Sequence, residues 1–81
     1  MKKEQEIQIY TDYITLGSFL KFIGIVGQGS DVKSYLLENK ILVNNEIENR
    51  RGRKVYPGSI IEIDEAKYLI SKTRDNKQYE Q

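Results

Sequence analysis

The spacing of apolar residues changes once along this chain of 81 residues and divides it into a helical part and a strand-rich part. Apolar side chains recur at the three- and four-residue intervals of one helix face from Leu16 to Ile23 and again from Val32 to Leu36. After Lys40 they form short apolar or alternating runs separated by turn-forming residues. Two helices followed by a run of strands predict an α+β domain, with two short helices packed on a small, mostly antiparallel sheet.

The predicted helices have recognisable ends. Thr15 is a candidate N-cap of the first helix, because its hydroxyl can accept from a free backbone N–H of the first turn. Phe22 widens the apolar stripe, so we expect this helix to be buried on more than one side and to end at the Gly27-Gln28-Gly29 turn. Ser30 is the candidate N-cap of the second helix, which is expected to end near Asn39.

The strand candidates are short and are bounded by turn residues. Asn44-Asn45 tolerates positive φ and predicts a tight hairpin turn, and Pro57-Gly58 suits the centre of a type II turn. Met1 to Gln5 is expected to be frayed and Ser71 to Gln81 to be a disordered polar tail, which leaves a single domain over residues 6–70. The strand candidates cover residues 7–9, 41–43, 46–48, 60–64 and 67–70.

Composition excludes most catalytic chemistry. The chain contains neither Cys nor His, so a disulfide scaffold, a thiolate zinc site, a Cys nucleophile and a Ser-His-Asp triad are all excluded. No apolar run approaches the roughly 20 residues of a membrane span, and the N-terminus lacks a signal-peptide core. We therefore expect a cytoplasmic, non-enzymatic protein with no metal site, no cofactor, no small-molecule substrate and no membrane partner.

Positive charge is concentrated in one segment although the whole chain is nearly neutral, with 13 basic and 12 acidic residues. Four basic residues fall within five positions between Arg50 and Lys54, around Gly52. Arginine presents a planar fork of donors that suits phosphate oxygens, although such a run is also compatible with a solvated loop. The candidate phosphate-binding residues are Lys21, Lys33, Arg50, Arg51, Arg53 and Lys54.

The aromatic and acidic residues are weaker indicators of function than the basic run. Tyr56 adjoins the basic run and is a candidate for stacking on a base, or alternatively for packing over the Pro57 turn. Phe19, Phe22 and Tyr35 lie on apolar helix stripes and are expected in the core. Paired acids can perform acid–base chemistry, but nothing completes a site around the carboxylates Glu46 and Glu48, so we expect an exposed strand face there.

Four segments resemble the S-four RNA-binding domain, a module first named in a small-subunit ribosomal protein. Residues 49–54, NRRGRK, and residues 14–17, ITLG, resemble in particular the small stand-alone bacterial YaaA-type subgroup. The resemblance implies the αL RNA-binding motif, with structured RNA, expected to be ribosomal RNA or an assembling ribosomal subunit, bound along the second helix and the basic run. The four segments are residues 15–21, TLGSFLK, residues 29–36, GSDVKSYL, residues 41–46, ILVNNE, and residues 56–63, YPGSIIEI.

Two other functions remain open from the residues alone. The strands from Ile41 to Ile70 are compatible with a β-grasp-like sheet that binds another protein, although a sulfur-carrier role is disfavoured because the chain ends in Tyr79-Glu80-Gln81 rather than Gly-Gly. Non-specific binding to DNA would use the same cations, because any phosphate backbone attracts them and no base-reading residue is identifiable. Charge alone does not separate RNA from DNA.

Overall fold

A computed structural model describes residues 3–27 and 31–73 and confirms the α+β prediction. Helices α1 and α2 lie between a first strand and a run of short strands, as the apolar spacing predicts. No helix in these two described ranges is long and apolar enough to cross a membrane. The elements are β1 (Lys3–Ile9), β2 (Ile14–Thr15), α1 (Leu16–Phe22), α2 (Val32–Glu38), β3 (Ile41–Val43), β4 (Glu46–Ile47), β5 (Lys54–Val55), β6 (Ile60–Ile63) and β7 (Ala66–Lys72).

Within the described residues, the strands form a five-stranded sheet and a separate two-stranded ribbon. The order of the sheet is β1-β7-β6-β3-β4, and the ribbon pairs β2 with β5. The sheet is antiparallel except that β1 runs parallel to β7, with Ile7 opposite Ile70. The first and last strands of the chain are therefore neighbours at one side of the sheet.

The core lies between the helices and one face of the sheet. Phe19 of α1 is fully buried, and its ring meets that of Tyr68 on β7 edge to face, with centroids 5.4 Å apart. The sheet supplies alternate apolar residues to the same cluster, including Ile61 and Ile63. The buried alternate residues of β6 and β7 thus belong to the same core as the apolar stripe of α1.

Both predicted turns are confirmed. Asn44 and Asn45 have φ values of 53° and 70°, as a tight hairpin between β3 and β4 requires. The Asn44 side chain also accepts from the backbone N–H of Ile60 at 2.9 Å, which links this turn to β6. Gly58 has a φ of 97°, and Ser59 N–H donates to Tyr56 O at 3.0 Å, which closes the type II turn.

The ordered region is longer at both ends than predicted. Lys3 to Gln5 were expected to be frayed, but they lie in β1, and Lys3 N–H donates to Glu65 O at 2.8 Å. Ser71 and Lys72 were expected in the tail but belong to β7. Backbone pairing between β1 and β7 orders these polar segments without burying their side chains, so hydropathy gives no sign of it. Residues 1–2 and 74–81 lie outside the described residues.

Both helices differ from the prediction at one end. Helix α1 ends at Phe22, before Gly24, which has a φ of 83°. Phe22 itself lies off the apolar stripe and is 62% exposed, so its predicted place in the core is wrong. Asp31 rather than Ser30 caps α2, because its carboxylate accepts from Ser34 N–H at 3.2 Å.

The segment after β4 is attached by its backbone to the start of α1. Strands β2 and β5 pair with Thr15 opposite Lys54, and two further hydrogen bonds extend this contact. Leu16 N–H donates to Arg53 O at 2.8 Å, and Gly17 N–H donates to Arg51 O at 2.9 Å. The basic run is therefore held against α1 by hydrogen bonds of its main chain.

Replacing Gly17 by alanine is expected to destabilise the protein by about 1–3 kcal/mol, although alanine is normally the better helix former. An added Cβ would lie 3.2 Å from Arg51 Cβ and 3.3 Å from Arg51 O, so the loop would have to retreat from α1. Urea unfolding measures the change. Gly52→Ala is the matched control, because no atom lies within 4 Å of a Cβ there. Equal stabilities of the two variants would contradict the close approach of the loop to Gly17.

Candidate nucleic-acid interface

The basic loop, which we define as residues 49–54, is a tight turn between β4 and β5. Arg53 N–H donates to Arg50 O at 3.2 Å and closes the turn. Together with the contacts to Leu16 and Gly17, this hydrogen bond gives the loop one definite backbone conformation. A cationic loop that is fixed before binding loses little conformational entropy when a ligand arrives.

A buried carboxylate lies beneath the basic loop. Glu48 is only 6% exposed, and its backbone N–H donates to Ile41 O at 2.9 Å. Its carboxylate accepts from Arg50 Nε at 2.9 Å, from Arg50 Nη2 at 3.1 Å and from Arg53 Nη1 at 2.7 Å. The prediction that Glu46 and Glu48 share an exposed strand face is wrong for Glu48, because β4 ends at Ile47 and the alternation stops there.

The guanidinium groups keep this carboxylate charged. The hydrogen bond from Arg50 lowers the pKa of Glu48 from an ordinary value of 4.5 to about 2, with a smaller contribution from Arg53 and with burial acting in the opposite direction. The same contact raises the pKa of Arg50. At neutral pH the loop therefore contains a fully ionised Arg50–Glu48–Arg53 cluster.

This cluster changes which of the predicted cations are available. The Arg53 side chain is 29% exposed, and its Nη1 donates to Glu48, so it is the least accessible residue of the loop. The Arg50 side chain is 72% exposed and can still present part of its guanidinium to a ligand. The loop is thus less cationic than its sequence indicates, and Arg53 has mainly a structural role.

Arg51 and Lys21 come together although they are thirty positions apart in the sequence. Both line a cleft of about 290 Å³ between α1, the start of α2 and the basic loop, which we call the basic cleft. No carboxylate of the described residues forms an ion pair with either side chain. The other residues that line the basic cleft are Thr15, Gly17, Ser18, Val32 and Gly52.

Lys54 lies beside an aromatic pair. Its Nζ is 5.0 Å from the centroid of the Tyr13 ring, and the ring of Tyr56 is 5.7 Å from that of Tyr13 at an angle of 50°. Tyr56 is 51% exposed, so one part of its ring contacts Tyr13 and the rest faces solvent. The cation–π contact favours one position of the Lys54 ammonium group above the ring.

The start of α2 is less favourable to phosphate than the basic cleft. Lys33 is exposed but does not line the basic cleft, although its neighbour Val32 does. Asp31 places a carboxylate at the same end of the helix, where hydrogen bonds from the Ser34 hydroxyl and backbone lower its pKa. Gln28 to Ser30, which the sequence assigns to the turn between the two helices and to the N-cap of the second, lie outside the described residues.

Sequence reasoning missed a second recess next to the basic cleft. Residues 10–15 and Ser18 line a groove of about 650 Å³, which we call the tyrosine groove. Thr15 and Ser18 line both recesses, so the two adjoin each other at these residues. Tyr10 is 80% exposed. The sequence feature that could have indicated this groove is the pair of tyrosines in the polar segment between β1 and β2. These tyrosines fit neither the helical nor the strand spacing of apolar residues.

Replacing Glu48 by glutamine should lower the free energy of unfolding at neutral pH by about 1.5–3 kcal/mol, the range of hydrogen bonds to charged groups. Because the pKa of Glu48 is lower in the folded state, its stabilising contribution is present above pH 4.5 and is lost as the pH falls from 4.5 towards about 2. Urea unfolding across this range should show the difference between wild type and Glu48→Gln shrinking with falling pH. Glu46→Gln, at an exposed position on β4, is the control; a difference that does not vary with pH would exclude the ion cluster.

The chain matches a known protein family and a known protein. Residues 7–71 match the family described as the S4 domain. A protein of Bacillus subtilis (strain 168) named "Probable ribosome maturation protein RlbA" is 48% identical over 58 residues, which are 72% of this chain and 82% of that protein. No solved structure matches the chain. The match covers most of the chain and confirms the resemblance seen in its motifs: this protein belongs to the S4-domain family.

Proposed function

We propose that this protein binds structured RNA without catalysing a reaction, and that its target is ribosomal RNA, free or in an assembling ribosomal subunit. The observation that carries the proposal is the basic cleft, in which Lys21 and Arg51 line one recess. These cations come from two parts of the chain that the β2–β5 ribbon joins. The proposal places the protein in the bacterial cytoplasm, where ribosomes are assembled.

The chemistry of the basic cleft suits a sugar–phosphate backbone. Structured RNA is recognised largely through its phosphates, its shape and its 2′-hydroxyl groups. Lys21 and Arg51 supply cationic donors for phosphate, while Thr15 and Ser18 supply hydroxyl groups that can exchange hydrogen bonds with ribose. Thr15 Oγ1 already donates to Ser18 Oγ at 2.9 Å, which orients the two hydroxyls.

The comparisons support the same function. The resemblance to S-four modules implies binding to RNA, and the name of the Bacillus subtilis relative refers to maturation of ribosomes. We therefore infer that the protein contributes to ribosome maturation by binding RNA.

The double variant Lys21→Glu/Arg51→Glu should weaken binding to deproteinised ribosomal RNA at least about tenfold, because charge-assisted hydrogen bonds contribute about 1.5–3 kcal/mol each. The logarithm of the wild-type binding constant should fall with the logarithm of the salt concentration with a slope of about three to four. The slope of the variant should be smaller by about 1.4–1.8, because two phosphate contacts are lost. Filter binding or fluorescence anisotropy over a salt series measures both quantities.

Lys40→Glu is the matched control for this charge reversal, because Lys40 is exposed and lies near Glu62 and Asp64 rather than at the basic cleft. It should leave the affinity and the slope close to those of the wild type. Arg53 is not substituted, since its loss would release Glu48 and disturb the loop. An unchanged affinity of the double variant would refute the proposed surface, and equal competition by duplex DNA would refute the preference for RNA.

A further inference from the structure

We propose that the tyrosine groove receives a single unpaired nucleobase of the bound RNA, while the adjoining basic cleft holds the phosphates next to that base. This inference rests on the proposed function, and it assigns a separate role to a part of the surface that carries few cations. It also predicts a preference among RNAs, which phosphate binding alone does not provide.

The first observation is the arrangement of aromatic rings at the groove. Tyr10 is 80% exposed and forms no hydrogen bond or ring contact with any described residue. Tyr13 is 39% exposed, and its ring is held by contacts with Tyr56 and with the ammonium group of Lys54. An exposed ring beside a positioned ring provides faces on which an unpaired base can stack.

The second observation is an exposed hydrogen-bond acceptor in the groove. The carboxylate of Asp12 lines the groove and is exposed, and Lys72 Nζ donates to its Oδ1 at 2.9 Å. A carboxylate accepts hydrogen bonds from the exocyclic amino group of a base, as in aspartate contacts with cytosine N4. Ile14 adds an apolar surface to the same recess.

The third observation is that the groove and the basic cleft share a border. Thr15 and Ser18 line both recesses, and Lys54 lies at the aromatic pair. A nucleotide bound here would have its base on the tyrosine side and its phosphate on the side of Lys21 and Arg51. Because uracil has no exocyclic amino group, Asp12 should favour an unpaired cytosine over an unpaired uracil.

The test uses three dye-labelled RNA hairpins that are identical except for one position, which carries an unpaired cytidine, an unpaired uridine or no unpaired nucleotide. The full chain should bind the hairpin with the unpaired cytidine about 5–150-fold more tightly than the fully paired one. The hairpin with the unpaired uridine should bind with intermediate affinity. Fluorescence anisotropy at fixed salt measures all three affinities.

Variants assign this preference to the groove. Tyr10→Leu should remove most of the preference for the unpaired cytidine, while Tyr10→Phe should retain it because the ring is kept. Phe22→Leu is the matched control, since it removes an exposed ring that lies outside the groove. Tyr10 is so exposed that neither substitution should alter folding, and urea unfolding checks this point.

The outcomes separate this inference from the proposed function. Equal affinity of the wild type for all three hairpins, no binding to any of them, or an undiminished preference in Tyr10→Leu would each overturn the base-binding role. The charge-reversal variant Lys21→Glu/Arg51→Glu should instead weaken binding to all three hairpins in similar proportion. A chain that still binds ribosomal RNA through its basic cleft but shows no preference among the hairpins would therefore refute only the inference made here.

Discussion

The conformation of the basic loop depends on one buried carboxylate. Glu48 is almost fully removed from solvent, and an ionised group in that position is tolerated only because Arg50 and Arg53 donate to both of its oxygens. Those contacts close a tight turn over the carboxylate and bring the main chain of the loop to the start of α1. The close approach at Gly17 and the position of Arg51 in the basic cleft both follow from this turn.

The arginines of the loop therefore divide into two groups. Arg53, and in part Arg50, neutralise Glu48 and maintain the backbone, whereas Arg51 faces the recess that also contains Lys21. This division explains how a chain with almost no net charge can present a local cationic surface. The arginines that bind Glu48 and the cations of the basic cleft are different residues, so the number of basic residues in the loop overstates the number of unpaired cations.

Local patterns predicted the local structure. The Asn44-Asn45 and Pro57-Gly58 turns depend on the backbone preferences of the residues that form them, and both occur as expected. Long-range pairing was not predictable in this way, because the parallel contact of β1 with β7 joins the two ends of the chain and involves many polar side chains. The burial of Glu48 was missed for a related reason: β4 ends one residue earlier than its alternation indicates, and the partners of the carboxylate come from the following turn.

The candidate site could be predicted only in part from the sequence. A run of basic residues predicts an affinity for phosphate, but it does not show which cations are already paired or which recess they border. The shared border formed by Thr15 and Ser18 is a consequence of the α1 N-cap, in which Ser18 N–H donates to Thr15 Oγ1 at 3.3 Å. The same two residues that start the helix thus lie between the cationic and aromatic recesses. The helix cap therefore lies between the proposed positions of a phosphate and its base.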